Sequence, residues 1–65
     1  MKRYYEVFIN KKVGNELVFT TKSREKAFLK LNSITKHDGK KWVIDGFIDE
    51  ITSYGNGTET VDTIS

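Results

Sequence analysis

The sequence predicts an α+β domain: an antiparallel sheet assembled in the order β-β-α-β-β, with one helix packed on one face. Three observations lead there. Residues 3–11, RYYEVFINK, and 16–21, ELVFTT, are rich in β-branched and aromatic side chains. Residues 24–37, REKAFLKLNSITKH, are the one helical stretch. An Asp-Gly pair then sits inside an apolar run, WVIDGFI. Strands segregated from a helix in this way define the α+β class.

Successive side chains of a strand point to opposite faces. In the first stretch Tyr5, Val7 and Ile9 therefore share one face, and Tyr4, Glu6 and Phe8 the other. Large apolar groups on both faces put this strand in the middle of the sheet. Val13-Gly14-Asn15 reads as a short connection to the next strand, with Gly free to take a positive φ. A three-residue loop sets Ile9 opposite Phe19 and Lys11 opposite Leu17. That register collects Tyr5, Val7, Ile9, Leu17 and Phe19 on one face, and a slip of one residue would scatter them.

Ser23 is a good N-cap for the helix, because its hydroxyl can accept from an orphan amide of the first turn. Glu25 suits the positive helix end, while Lys36 and His37 suit the negative one. Gly39 is the expected stop residue. At 100° per residue Ala27, Leu31 and Ile34 form a stripe with Phe28 at its edge, and this stripe should lie on the sheet.

Asp45-Gly46 between Val43-Ile44 and Phe47-Ile48 is a strong hairpin signal. A two-residue turn there pairs Ile44 with Phe47, Val43 with Ile48, Trp42 with Asp49, and Lys41 with Glu50. The rival reading is one long strand from Lys41 to Ser53 with a bulge at Gly46. Tyr54-Gly55-Asn56-Gly57 is a turn, and residues 58–65 form a weak edge strand or a loose tail.

The 65 residues make a single domain, with no linker or repeat. A core this small contributes about 3–5 kcal/mol at most, so reinforcement is expected. The chain has no Cys, which removes disulfides and thiolate metal sites. One His, His37, cannot build a His-rich metal site, and no metal or cofactor is expected. Good packing or self-association as a homodimer remains. No apolar run approaches the ~20 residues that span a bilayer, and no export signal is legible, so the expected location is the cytoplasm. Residues 1–41 hold all 11 basic side chains and four acids, a net +7, whereas residues 42–65 hold five acids and no base, a net −5. Such asymmetry points either to pairing of the two halves within the fold or to a charged partner.

Catalysis has little to stand on. His37, at the expected helix end, is explained by the last carbonyls there. Asp45, Asp49 and Glu50 are most simply solvated carboxylates, since a domain of this size has little interior in which to shift them. No Gly-rich phosphate loop precedes a helix. Protein binding uses the features left over. Tyr4 and Phe8, with Val18, decorate a sheet face that one short helix cannot cover, and Leu29 points away from the helix's apolar stripe. Contiguous apolar patches mark contact sites. Asp45, Asp49 and Glu50 would add complementarity to a basic partner surface, such as that of a nucleic-acid-binding protein. The alternative is a nucleic-acid module in which Lys22, Lys26 and Lys30 follow a phosphate backbone and the sheet aromatics stack on bases.

Brevity, abundant Lys, Ile, Asn and Thr, the absence of Cys and Pro, and a compact ββα start give the whole chain a general character. In these respects it resembles small accessory proteins of phages and mobile elements of low-GC bacteria. That resemblance implies a non-enzymatic inhibitor of a host or defence protein, and it assigns no residue.

Overall fold

The structure, a computed structural model, describes residues 1–39 and 41–65, except for the side chains of residues 37 and 41–43. It is an α+β arrangement of β1 (Lys2–Lys11), β2 (Gly14–Thr21), α1 (Arg24–Ile34), β3 (Lys36–Asp38), β4 (Lys41–Ile44), β5 (Gly46–Ser53) and β6 (Glu59–Thr63). Four strands form an antiparallel sheet in the order β2-β1-β5-β6, and β3 and β4 form a separate ribbon. The extents, 45 × 26 × 16 Å, are those of a thin two-layered slab with an extension.

The expected β-β-α-β-β order is corrected in its second half. Asp45-Gly46 is not a hairpin turn. β4 pairs with β3, β5 pairs with β1, and Asp45 joins two strand segments that follow one another. The proposed Ile44–Phe47 and Lys41–Glu50 pairings are therefore absent: Ile44 lies opposite Lys36, Lys41 opposite Asp38, Phe47 opposite Phe8, and Glu50 opposite Tyr5. The long-strand alternative comes nearer, with an interruption at Asp45 in place of a bulge. The proposed role of His37 at the helix end, and the side-chain pairings of Lys41, Trp42 and Val43, lie outside the described residues.

Gly46 has a tertiary explanation. A Cβ added there would stand 2.3 Å from the Phe8 carbonyl oxygen and 2.9 Å from Leu31 Cδ1. Only a glycine lets the start of β5 lie this close to the β1 backbone beneath Leu31. Asp45 secures this passage from outside. Its backbone oxygen accepts from the Asn10 amide at 2.9 Å, its Oδ2 from Asn10 Nδ2 at 3.2 Å, and its Oδ1 from the Gly46 amide at 2.8 Å.

The first hairpin is also shifted from its expected register. Lys12 and Val13 make the turn, and Gly14 takes the positive φ, 118°. Ile9 consequently faces Glu16, and Phe8 faces Leu17. A bulge at Val18 restores the apolar match, so that Val7 faces Phe19. Both Val18 and Phe19 pack against the core, and Leu17 is sent to the opposite face.

The helix starts as the sequence dictates, with Ser23 Oγ accepting from the Lys26 amide at 3.2 Å. It ends earlier, at Ile34. The amide and hydroxyl of Thr35 both donate to the Leu31 carbonyl, at 3.0 and 2.8 Å, while Thr35 itself is extended. Gly39 serves instead in the turn between Asp38 and Lys41. Ala27 and Leu31 are buried on Tyr5, Val7 and Ile48, with Val18, Phe19, Phe28, Ile34 and Ile64 around them. Val7 and Ile48 are fully buried, worth about 1.5–3 kcal/mol each by burial. The tail is an edge strand, fixed further by the Ile64 amide donating to the Ile48 carbonyl at 3.0 Å. Among the described residues, no helix is long and apolar enough to cross a membrane.

Candidate protein-binding face

Parity along β1 and β5 divides the sheet. Val7 and Ile48 lie under the helix, so Phe8 and Phe47, their neighbours, lie on the reverse. Cross-strand register then arranges the reverse face in rows. Leu17, Phe8 and Phe47 form one apolar row across β2, β1 and β5. Tyr4, Ile51 and Val61 form another across β1, β5 and β6. Between them runs a polar row of Thr20, Glu6, Asp49 and Thr63.

The two apolar rows are ordered surfaces. The Phe8 and Phe47 rings are stacked, with centroids 4.9 Å apart and planes 11° from parallel. Ile51 is only 3 % exposed although the helix lies on the other side of the sheet. Leu17 and Val61, at the two margins, are 47 % and 60 % exposed. The C-terminal segment does not fold over this face, because β6 lies in the plane of the sheet as its edge.

The charges of the face are unusual. Glu6 and Asp49 are directly opposite each other, and like charges in that relation are destabilising. Asp49 accepts from the Thr63 hydroxyl at 2.7 Å, and neither acid has an ion-pair partner among the described residues. At the far end of the face a cleft of about 520 Å³ is lined by Lys2, Arg3, Tyr4, Lys22, Ser53 and Glu59, among others. Burial, then the charges of Glu59 and Glu6, push the Tyr4 hydroxyl above its ordinary value of 10.0.

The residues singled out from sequence do not form one surface. Tyr4, Phe8 and Asp49 are brought together on the open face. Glu50 is on the helix side, where its carboxylate lies 3.7 Å from Arg3 Nε, which also donates to Thr52 Oγ1 at 3.2 Å. Asp45 is occupied at the β4–β5 junction. Leu29, 61 % exposed, is on the outside of the helix. Among the lysines, Lys30 Nζ sits 5.4 Å from the centre of the Phe19 ring, Lys26 is exposed on the helix, and Lys22 lines the cleft. Val18, expected on the open face, packs against the core instead.

Sequence reasoning missed Glu6, Leu17, Phe47, Ile51 and Val61. The signal for Phe47, Asp49 and Ile51 was their spacing of two. Reading Asp45-Gly46 as a turn hid it. Comparison with protein-family models, curated proteins and solved structures finds no match.

Proposed function

We propose that this chain is a small non-enzymatic protein-binding module, and that its open sheet face is the binding surface. The stacked Phe8–Phe47 pair, continued by exposed Leu17, is the observation that carries the reading. Such a row offers rigid aromatic area at little cost in side-chain entropy, and aromatic anchors dominate interface energetics. Asp49 and Glu6 beside it favour a partner with Lys or Arg next to an apolar patch. The chain's likeness in character to accessory proteins of phages and mobile elements suggests a host or defence protein as that partner, and inhibition as the outcome.

A nucleic-acid module using Lys22, Lys26 and Lys30 is the second reading, supported by the cationic cleft that includes Lys22. Two carboxylates between the aromatic rows weigh against it, since phosphates would be repelled where bases would stack. Affinity capture from a bacterial lysate, with and without nuclease, separates the two. The expected result is a nuclease-resistant protein retained by the native chain and by Leu29→Ser, and lost with Phe8→Ser. Capture that disappears with nuclease or with Lys22→Ala, and survives Phe8→Ser, would replace this reading with the second.

A further inference from the structure

The open face carries a pattern that is complementary to itself. Along β1 it presents Lys2, Tyr4, Glu6 and Phe8 in succession. We propose that a second copy of the chain docks on this face, antiparallel, about a two-fold axis that crosses β1 at Tyr4. The inference rests on the reading of the open face as a protein-binding surface and names one of its occupants.

The axis lies in the interface plane, perpendicular to the strands, so each strand stacks on its own counterpart with its direction reversed. Tyr4 then meets Tyr4 and Val61 meets Val61, on either side of Ile51, which its own chain already buries. Such an isologous contact places every interaction twice. Lys2 lies over Glu6 of the second copy, and Glu6 over its Lys2. On β5, Asp49 meets the Ser53 hydroxyl of the second copy. On β6, Glu59 comes over Thr63 of the second copy, whose hydroxyl already donates to Asp49 of its own chain. Glu6 and Asp49, the two opposed carboxylates, thus each face a cation or a hydrogen-bond donor of the second copy. The cleft beside Lys2, Tyr4 and Ser53 becomes the socket for the second copy's Tyr4 and Glu6.

Other registers lack this match. An antiparallel arrangement that stacks Tyr4 on Phe8 sets Glu6 on Glu6. One that stacks Phe8 on Phe8 brings Glu6 over Asn10, whose side chain is held by Asp45. The parallel arrangement sets Lys2 on Lys2 and Glu6 on Glu6. In the proposed register, Phe8 and Leu17 lie beyond the second copy's β1, while its turn after Ser53 comes over Phe47. Phe8 and Leu17 stay available at both ends, which makes self-association compatible with the partner binding proposed above.

The test is sedimentation equilibrium and light scattering of the full chain over a range of concentrations. A monomer–dimer equilibrium is expected. Lys2→Glu and Glu6→Lys should each weaken it by about tenfold or more, because each converts two attractive pairs into two repulsions. The double variant Lys2→Glu/Glu6→Lys should restore association, and Leu29→Ser should leave it unchanged. Circular dichroism of each variant verifies folding. A chain that stays monomeric at every concentration, or a dimer in which the double variant is no tighter than the singles, overturns the proposal. The capture experiment, read through Phe8, then decides the partner-binding reading separately.

Discussion

Val7 and Phe8 are adjacent on β1 and belong to two different surfaces. Val7 has no exposure and sits beneath Ala27 and Leu31. Phe8 stays half-buried, with Phe47 stacked on its ring. The same alternation runs through β5, where Ile48 is sealed under the helix and Phe47 and Asp49 are not. One face is thus a core closed by α1. The other is a pattern of apolar rows with two opposed carboxylates between them. The comparison teaches that apolar residues on a strand do not by themselves indicate burial. The covering layer decides, and this chain supplies one helix for two faces.

The largest expected difference between the faces is in stability. Ile48→Ala removes a fully buried side chain from the helix-covered core and should cost about 2–5 kcal/mol. That is comparable with all the stability a core of this size provides, about 3–5 kcal/mol. Urea denaturation should find the variant largely unfolded. Phe8→Ala, on the open face, should forfeit mainly its stacking on Phe47, about 0.5–1.5 kcal/mol beyond area burial. If Phe8→Ala proved as damaging as Ile48→Ala, the two faces would be parts of one core and the open-face argument would fail.

Gly46→Ala gives the next largest effect, and it tests how the two layers are spaced. The new methyl meets a backbone oxygen at 2.3 Å, which cannot swing aside as a side chain can. Overpacking of this kind costs about 1–3 kcal/mol. A lower midpoint with an unchanged denaturant slope should result. An unaffected midpoint would mean that β5 can move away from β1 freely, contrary to the continuous pairing from Ile9–Gly46 to Lys2–Ser53.

The parts of this architecture that were legible from sequence are those fixed locally. Alternation in residues 3–11 assigned Tyr5 and Val7 to one face and Tyr4 and Phe8 to the other. Ser23 and the Ala27–Leu31 stripe specified the helix start and its buried side. What escaped is set by distant parts of the chain. The bulge at Val18 exists because the turn at Lys12-Val13 puts the strands out of apolar match. No short-range rule encodes that correction. Asp45-Gly46 has the composition of a hairpin turn, yet Gly46 is required by Phe8 and Leu31. Both are remote in sequence and invisible to a pairwise turn rule. The candidate face suffered most from this, since one member of each apolar row, Phe47 and Ile51, depends on β5 being read as one strand.

The smallest expected effect compares two adjacent tyrosines, one on each face. Both hydroxyls are held above the ordinary value of 10.0. For Tyr5 the causes are burial first, then a hydrogen bond to Glu50 and the Glu50 charge, which outweigh the opposing pull of Arg3 and Arg24. For Tyr4 they are burial first, then the charges of Glu59 and Glu6. In each case the unfolded chain releases its proton at a lower pH than the folded one. Above 10.0 the unfolded state therefore binds fewer protons, and stability falls as pH rises through the folded values. The contribution is fully present at neutral pH. Urea denaturation across this range should show the decline, and Tyr5→Phe should flatten most of it because the Glu50 hydrogen bond is internal. Tyr4→Phe should flatten less, and its share should shrink with added salt, since Glu59 at the exposed sheet edge is screened. A decline removed wholly by Tyr4→Phe would reverse this order. It would mean that the open face, not the helix-covered one, holds its tyrosine in the drier setting.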